Sequence, residues 1–256
     1  MYVHEKVRED FLAREAFLLE LRNAKRMAPL IDHTLLKAEA GERNFSELVR
    51  QAAAHNFRAV CLPSGRLEEA AKLFRDLNSV GSPLLCTVIG FPLGHSLTAA
   101  KTAEVDAALT HGAAELDYVQ NIGWVKDKHW TKLCEEARAI VGAARGNVVK
   151  VILETALLTE EEIYLSGLAA ARGGVHILKT STGFAARGAS LQDLKVMSRV
   201  TQQIESEGGN KLGLKASGGI KTYADAVQMI QAGATRLGTS AGVQLMTGEK
   251  TAESSY

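Results

Sequence analysis

Apolar residues in this chain arrive in eight short bursts, separated by longer stretches in which they recur at helical spacing. The bursts are PLIDHTLL, FRAVCLP, LLCTVIG, AAELDYV, VVKVILET, VHILKT, KLGLKAS and ATRLGTS, each reading as a buried strand. The intervening segments predict helices over residues 44–55, 66–79, 97–111, 130–143, 159–172, 190–206 and 221–232. Local chemistry supports several starts: Thr159 precedes Glu162 by three positions, and Ser190 stands ahead of Gln192 and Asp193, as helix caps require. Eight strands alternating with helices, and no turn short enough for a hairpin, imply parallel pairing through right-handed crossovers. At this length the economical closure is a (β/α)8 TIM barrel, with an open doubly wound sheet as the alternative.

The ends differ from this rhythm. Val7, Phe11, Leu18 and Leu21 recur at helical spacing, so an additional N-terminal helix is expected over residues 1–28. The last stretch, TGEKTAESSY, is polar enough to be a flexible tail over 247–256. Nothing in between reads as a linker, so residues 1–256 are expected to form a single barrel domain.

Composition narrows the function. With 46% hydrophobic residues among 256, the chain can bury a large core. Thirty Lys and Arg against 29 Asp and Glu give a formal charge of +1, which offers no global field for nucleic acid or a membrane surface. Charges run through the first 26 residues, leaving no apolar core for a signal peptide, and no long apolar run follows. Cys61, Cys86 and Cys134 are odd in number and lack metal-ligand spacing, as expected of a cytoplasmic protein.

In a barrel of this kind, chemistry sits at the carboxyl ends of the strands. VHILKTSTGF ends a strand on Lys179. Strand alternation then sorts its neighbours: if Lys179 points inward, Val175 and Ile177 do too, while His176 turns toward the helices. The same parity places Lys215 inside with Gly213, Asp117 inside with Glu115 or Val119, and Lys150 inside as a further candidate. Such lysines could be structural, paired with Asp117, Glu154 or Asp32. The chemical alternative is specific. A lysine of ordinary pKa, about 10.4, is neutral less than about once in a thousand at pH 7. A neighbouring cation that brings it to about 7 frees roughly half as amine, at about 4 to 5 kcal/mol of charged-state stability. A neutral amine attacks an aldehyde to form a Schiff base, an electron sink for breaking an adjacent carbon–carbon bond.

Phosphate handling is the second signal. Ser217–Gly219 and Leu237–Gly242 each bring small residues to the start of a helix, after the seventh and eighth strands, where barrels of this fold bind phosphate. Gly183 after KTST could add a donor. His33, His95 and His176 do not argue for a metal, because His33 and His176 fall on the face opposite Asp32 and Lys179. Trp124 and Trp130 read as packing residues.

KTSTGF, LKASGGIKT, AAELDYVQNIG, CTVIGFPLG, IDHTLLK and KVILET together resemble the deoxyribose-phosphate aldolase family, from about Ile31 to Gly242. The resemblance implies a class I, metal-independent lyase that reversibly cleaves 2-deoxy-D-ribose 5-phosphate to D-glyceraldehyde 3-phosphate and acetaldehyde, with no cofactor. It implies Lys179 as the Schiff-base lysine, Lys215 as the amine tuning it, and Asp117 as the acid/base residue working through water. Phosphate contacts are implied from Gly183, Gly218, Gly219 and Ser240, with Thr34 and Cys61 as further substrate-contact candidates and Tyr256 as a candidate proton donor. Cys61 is equally readable as a small packing thiol. A homodimer is suggested by analogy with relatives. The chain departs from the family pattern at Ala114, at Leu62-Pro63-Ser64, at Ala241, and most visibly at Ala185-Ala186-Arg187, where the loop is usually glycine-rich. That loop either stiffens the site or brings a cation toward the phosphate. A transaldolase-like Schiff-base enzyme would share Lys179 without the KASGG lysine, and a barrel that had lost catalysis would be expected to lose Lys179, Lys215 or Asp117.

Overall fold

The computed structural model describes residues 26–77 and 83–247. The expected helix over 1–28 therefore lies almost wholly outside the described residues, as do nearly all of the expected tail and Tyr256. Eight parallel strands close into a barrel in sequence order: β1 Ile31–Thr34, β2 Ala59–Leu62, β3 Leu84–Ile89, β4 Glu115–Val119, β5 Val148–Ile152, β6 Ile177–Lys179, β7 Gly213–Ser217 and β8 Arg236–Thr239. The closure is β8 on β1, with Leu237 opposite Ile31 and Gly238 opposite Asp32. The open-sheet alternative is thereby excluded.

Seven helices cross between the strands or extend the crossovers as predicted, with ends shifted by a few residues: α1 Glu42–His55, α2 Leu67–Asp76, α3 Thr98–Thr110, α5 Trp130–Ala143, α6 Glu160–Arg172, α7 Leu191–Ser206 and α8 Tyr223–Gln231. Two more are short: α4 Ile122–Lys126, which was not predicted, and α9 Gly242–Thr247, the final helix expected after Leu237–Gly242. They are too brief to carry a helical period. The Thr159–Glu162 and Ser190–Asp193 caps both form reciprocal capping boxes, each satisfying two otherwise orphaned N–H groups.

Strand alternation divides the buried side chains into two compartments. Val60, Leu62, Leu116, Tyr118, Val149, Val151, Leu178, Leu214 and Leu237 belong to the large core that joins the strands to the helices. Ala59, Cys61, Cys86 and Val88 form a small apolar cluster on the opposite face, inside the barrel. The expected direction of Val175 is corrected: β6 begins only at Ile177, and Val175 packs in the larger, helix-contacting core. His33 and His176 do face away from the interior. His33 meets the Phe57 ring edge-on at 5.2 Å and pairs with Gln51 of α1, and His176 Nδ1 accepts the Val149 N–H. Trp124 and Trp130 pack against Val125, Leu133 and Ala169, as expected.

Candidate active site

Four consecutive strands, β4 to β7, deliver Asp117, Lys150, Lys179 and Lys215 to the barrel interior. Register sets them side by side, Asp117 opposite Lys150 and Lys179 opposite Lys215. The Nζ atoms of Lys179 and Lys215 each donate to Asp117 Oδ2 at 2.8 Å, so they are separated by no more than twice that distance. Lys150 Nζ donates to the other oxygen at 2.7 Å, where the Cys86 thiol also donates at 3.2 Å. All four charged side chains are essentially sealed from solvent.

Below this layer the cluster continues. Lys215 also donates to Asp32 Oδ2, and Arg236 of β8 donates to Asp32 Oδ1 at 2.6 Å and to both oxygens of Glu115, at 2.9 and 3.1 Å. Lys150 reaches Glu115 at 2.7 Å. Gly238 makes room for this arrangement: a Cβ there would stand 2.2 Å from Ser217 Oγ and 3.0 Å from Lys215 Cε. Alternation located Asp117, Glu115 and the three lysines in advance. Arg236 was missed, although in ATRLGTS it has the parity of an inward residue.

Burying an ion costs several kcal/mol, and only close, multiple pairing offsets it. Burial alone pushes the Asp117 carboxyl up, yet Lys150, Lys179 and Lys215 together outweigh it and hold the group well below the usual carboxylate range. Burial likewise opposes the charge on Asp32, but Lys215, Lys150 and Arg236 hold it at about 2. Burial favours a neutral Lys215, and Asp117 and Asp32 overcome this, so the ammonium is held above the ordinary lysine range. Lys150 behaves the same way, chiefly through Asp117. The sequence reading set two cations against one another; the structure interposes a carboxylate and adds further ions. Among these interior ion pairs, three carboxylates serve four cations. Lys179, nearest the strand ends, pairs with Asp117 alone, whereas Lys215 pairs with two carboxylates and Lys150 with three. Lys179 is thus the interior lysine with the fewest carboxylate partners.

The mouth is built from the loops after β5, β6, β7 and β8. Thr180 Oγ1 bridges to the backbone of Ser217, and Thr182 bonds Glu154 through both its hydroxyl and its N–H. Gly183, Gly218 and Gly219 all take positive φ, of 91°, 80° and 78°, which a residue with a Cβ adopts only under strain. Gly183 and Gly219 have nothing within 4 Å on the side a Cβ would occupy, so their backbones border open space. Ser240 is half-buried just beyond β8. Thr34 ends β1 with its hydroxyl on the Asp32 carbonyl, at 2.8 Å. Cys61 lies directly opposite Cys86 in the strand register and packs in the interior apolar cluster. Two more residues share the inward parity, Ser181 and Ser217, of which only Ser217 was named beforehand, within the Ser217–Gly219 turn: among the described residues their buried hydroxyls have no hydrogen-bond partner, which leaves them able to meet a ligand's hydroxyl groups.

Thiol and carboxylate atoms of Cys61, Cys86 and Asp117, and of Asp32, Cys86 and Glu115, come within 4.8 Å of one another, the spacing of a metal-ligand set. The carboxylates in both sets are already paired to ammonium or guanidinium groups, so a dication there would meet several positive charges at close range. The chemistry this centre favours is that of an amine.

A family profile described as DeoC/LacD family aldolase matches residues 26–247. The chain belongs to this aldolase family. Deoxyribose-phosphate aldolase of Staphylococcus epidermidis is 42% identical over 221 residues, 86% of this chain and 96% of that protein. The deoxyribose-phosphate aldolase of Carboxydothermus hydrogenoformans is also 42% identical, over 230 residues that span 88% of this chain and 96% of that one. Among solved structures, the tetrameric deoxyribose phosphate aldolase of Aeropyrum pernix superposes with a TM-score of 0.79 at 33% identity, covering 91% of this aldolase chain and 94% of the other.

Proposed function

We propose that this aldolase reversibly cleaves 2-deoxy-D-ribose 5-phosphate to D-glyceraldehyde 3-phosphate and acetaldehyde, through a Schiff base on Lys179. The observation that carries the reading is the shared carboxylate oxygen: two lysine amines converge on Asp117 Oδ2 inside a closed barrel. Lys179 Nζ adds to the aldehyde carbon of the open-chain sugar, and loss of water gives the iminium. Asp117, kept ionised by the positive charges around it, orients a water that takes the proton from the hydroxyl on the third carbon and passes it on. The bond between the second and third carbons breaks, its electron pair enters the iminium, and glyceraldehyde 3-phosphate departs. Protonation of the enamine, with Tyr256 as the proposed donor, and hydrolysis then release acetaldehyde and restore Lys179. Lys215 keeps a second positive charge beside the reacting amine. Ser181 and Ser217 are proposed contacts for the sugar hydroxyls, together with Thr34 and Cys61. Gly183, Gly218, Gly219 and Ser240 are the proposed phosphate contacts, supported by the left-handed backbone of the three glycines and the open space beside Gly183 and Gly219.

Borohydride reduction in the presence of acetaldehyde, followed by peptide mass mapping, tests the assignment. An ethyl adduct on Lys179 is expected; an adduct elsewhere, or none, overturns it. A cytoplasmic site of action is proposed from the free thiols of Cys61, Cys86 and Cys134; among the described residues no helix is long and apolar enough to cross a membrane. A homodimer is the proposed assembly, and a monomeric mass by light scattering would reject it.

A further inference from the structure

Between β6 and α7 the chain runs Gly183-Phe184-Ala185-Ala186-Arg187-Gly188-Ala189-Ser190, and Arg187 is its one cation. The guanidinium donates to the carbonyl of its neighbour Gly188 at 3.1 Å and is otherwise held by Asp193 and Thr155. Its Nη1 donates to Asp193 Oδ2, while its Nη2 donates to Asp193 Oδ1 and to the Thr155 carbonyl, both at 3.1 Å. Asp193 is only 4% exposed and gathers three segments on one carboxylate: Arg187 from this loop, the Thr155 hydroxyl at 2.9 Å from the loop after β5, and the Ser190 N–H at 3.2 Å from the cap of α7.

The segment so anchored is the one that sets the glycine backbones. Just after Arg187, Gly188 lies directly on Gly218, where a Cβ would come within 2.3 Å of the Gly218 carbonyl. The next N–H, of Ala189, donates to the carbonyls of Ser217 and Gly218 at 3.0 and 3.2 Å. A Cβ on Gly218 would in turn stand 3.0 Å from Gly188 Cα and 3.8 Å from Gly183 Cα. Gly183, Gly188 and Gly218 thus stack backbone on backbone, and the spacing between the loops after β6 and β7 depends on where Arg187 holds its neighbour.

We infer that Arg187 and Asp193 are positioning residues for the substrate's phosphate: their bidentate pair fixes the distance between the Gly183 and Gly218-Gly219 backbones without touching the anion. The inference rests on the reading of those glycines as the phosphate contacts. Of the two roles open to this cation, stiffening and direct contact, the geometry selects stiffening, since both Nη atoms are already engaged, with Asp193 and with the Gly188 and Thr155 carbonyls.

Steady-state kinetics with 2-deoxyribose 5-phosphate and with unphosphorylated 2-deoxyribose separate the possibilities, with melting temperature recorded for each variant. Arg187→Ala and Asp193→Asn should each raise KM for the phosphorylated sugar about tenfold, leave KM for 2-deoxyribose unchanged, and combine without further loss, because both break one link. Equal rises for both sugars would mean a general loss of structure and would overturn the inference. A lowered KM in Asp193→Asn, with a raised one in Arg187→Ala, would make the guanidinium itself the phosphate ligand and would also overturn it. Gly219→Asp, which aims a carboxylate into the open space, distinguishes the underlying reading. If it raises KM for the phosphorylated sugar while Arg187→Ala does not, the inference alone fails; if it changes nothing, the phosphate assignment fails.

Discussion

Two buried lysine sites in this barrel follow different rules. Outside the strands, Lys101 of α3 donates to Glu136 of α5 and to the Val119 carbonyl, both at 2.8 Å, with one ammonium matched to one carboxylate. Inside, Lys150, Lys179, Lys215 and Arg236 share Asp32, Glu115 and Asp117. Burial drives Lys101 toward neutrality and Glu136 offsets this in part, which is the ordinary behaviour of a pair that joins two helices. The interior holds one cation more than its carboxylates can balance. A matched pair is architecture; an excess of positive charge beside Lys179 is what its proposed Schiff-base role calls for.

The largest expected effect separates the two sites directly. Lys179→Met should lower kcat/KM by about 10⁴-fold or more, as loss of a covalent nucleophile does. It should leave the melting temperature intact, because three cations then face three carboxylates. Lys101→Met should do the reverse. Removing one member of a buried pair leaves the other uncompensated, a loss of about 3 to 5 kcal/mol in urea unfolding, with kcat of the folded enzyme unchanged. Adding Glu136→Leu should recover most of that stability. A Lys179→Met protein as unstable as Lys101→Met would erase the distinction.

Next in size is Lys215→Met. Removing that ammonium takes a positive charge from beside the Lys179 amine, so imine formation with acetaldehyde should require a higher pH. Trapping yield against pH measures this, and an unmoved profile would remove Lys215 from its tuning role.

The interior was legible in the sequence to the extent that it obeys a local rule. Alternation in AAELDYV, VVKVILET, VHILKT and KLGLKAS put Asp117, Lys150, Lys179 and Lys215 on one face, and the structure brings all four together. What alternation could not supply is partnership. Asp32 meets Lys215 across 183 positions only because β8 closes on β1, so its place at the centre of the charge network follows from barrel closure rather than from its neighbours. Arg236 has the inward parity, but its bonds to Asp32 and Glu115 likewise depend on that closure. Arg187 illustrates a different limit: a loop carries no periodicity, so only the position of Asp193 decides which way the guanidinium turns.

Acid unfolding offers the finest comparison, because the two sites bend the stability curve in opposite senses. Glu136 is pushed above its ordinary 4.5 by burial, so its charged form opposes folding, and its contribution grows as pH falls through the range just above 4.5. Asp32 is held at about 2 against an ordinary 3.8, so its contribution is complete above 3.8 and disappears as pH falls through 2. That loss should amount to about 2 kcal/mol, the free-energy equivalent of its displaced titration. Urea midpoints followed from pH 6 to pH 2 should therefore show a shallow limb softened by Glu136 and then a steep one. In Asp32→Asn the protein should be weaker at neutral pH and flatter below pH 4, whereas Glu136→Gln, which leaves the Lys101 ammonium without its carboxylate, should lower the curve and change the slope of the upper limb alone. An Asp32→Asn curve that stays equally steep below pH 4 would mean the interior carboxylate is not held ionised by its cations, and the ion network that surrounds the proposed Schiff-base lysine would lose its physical basis.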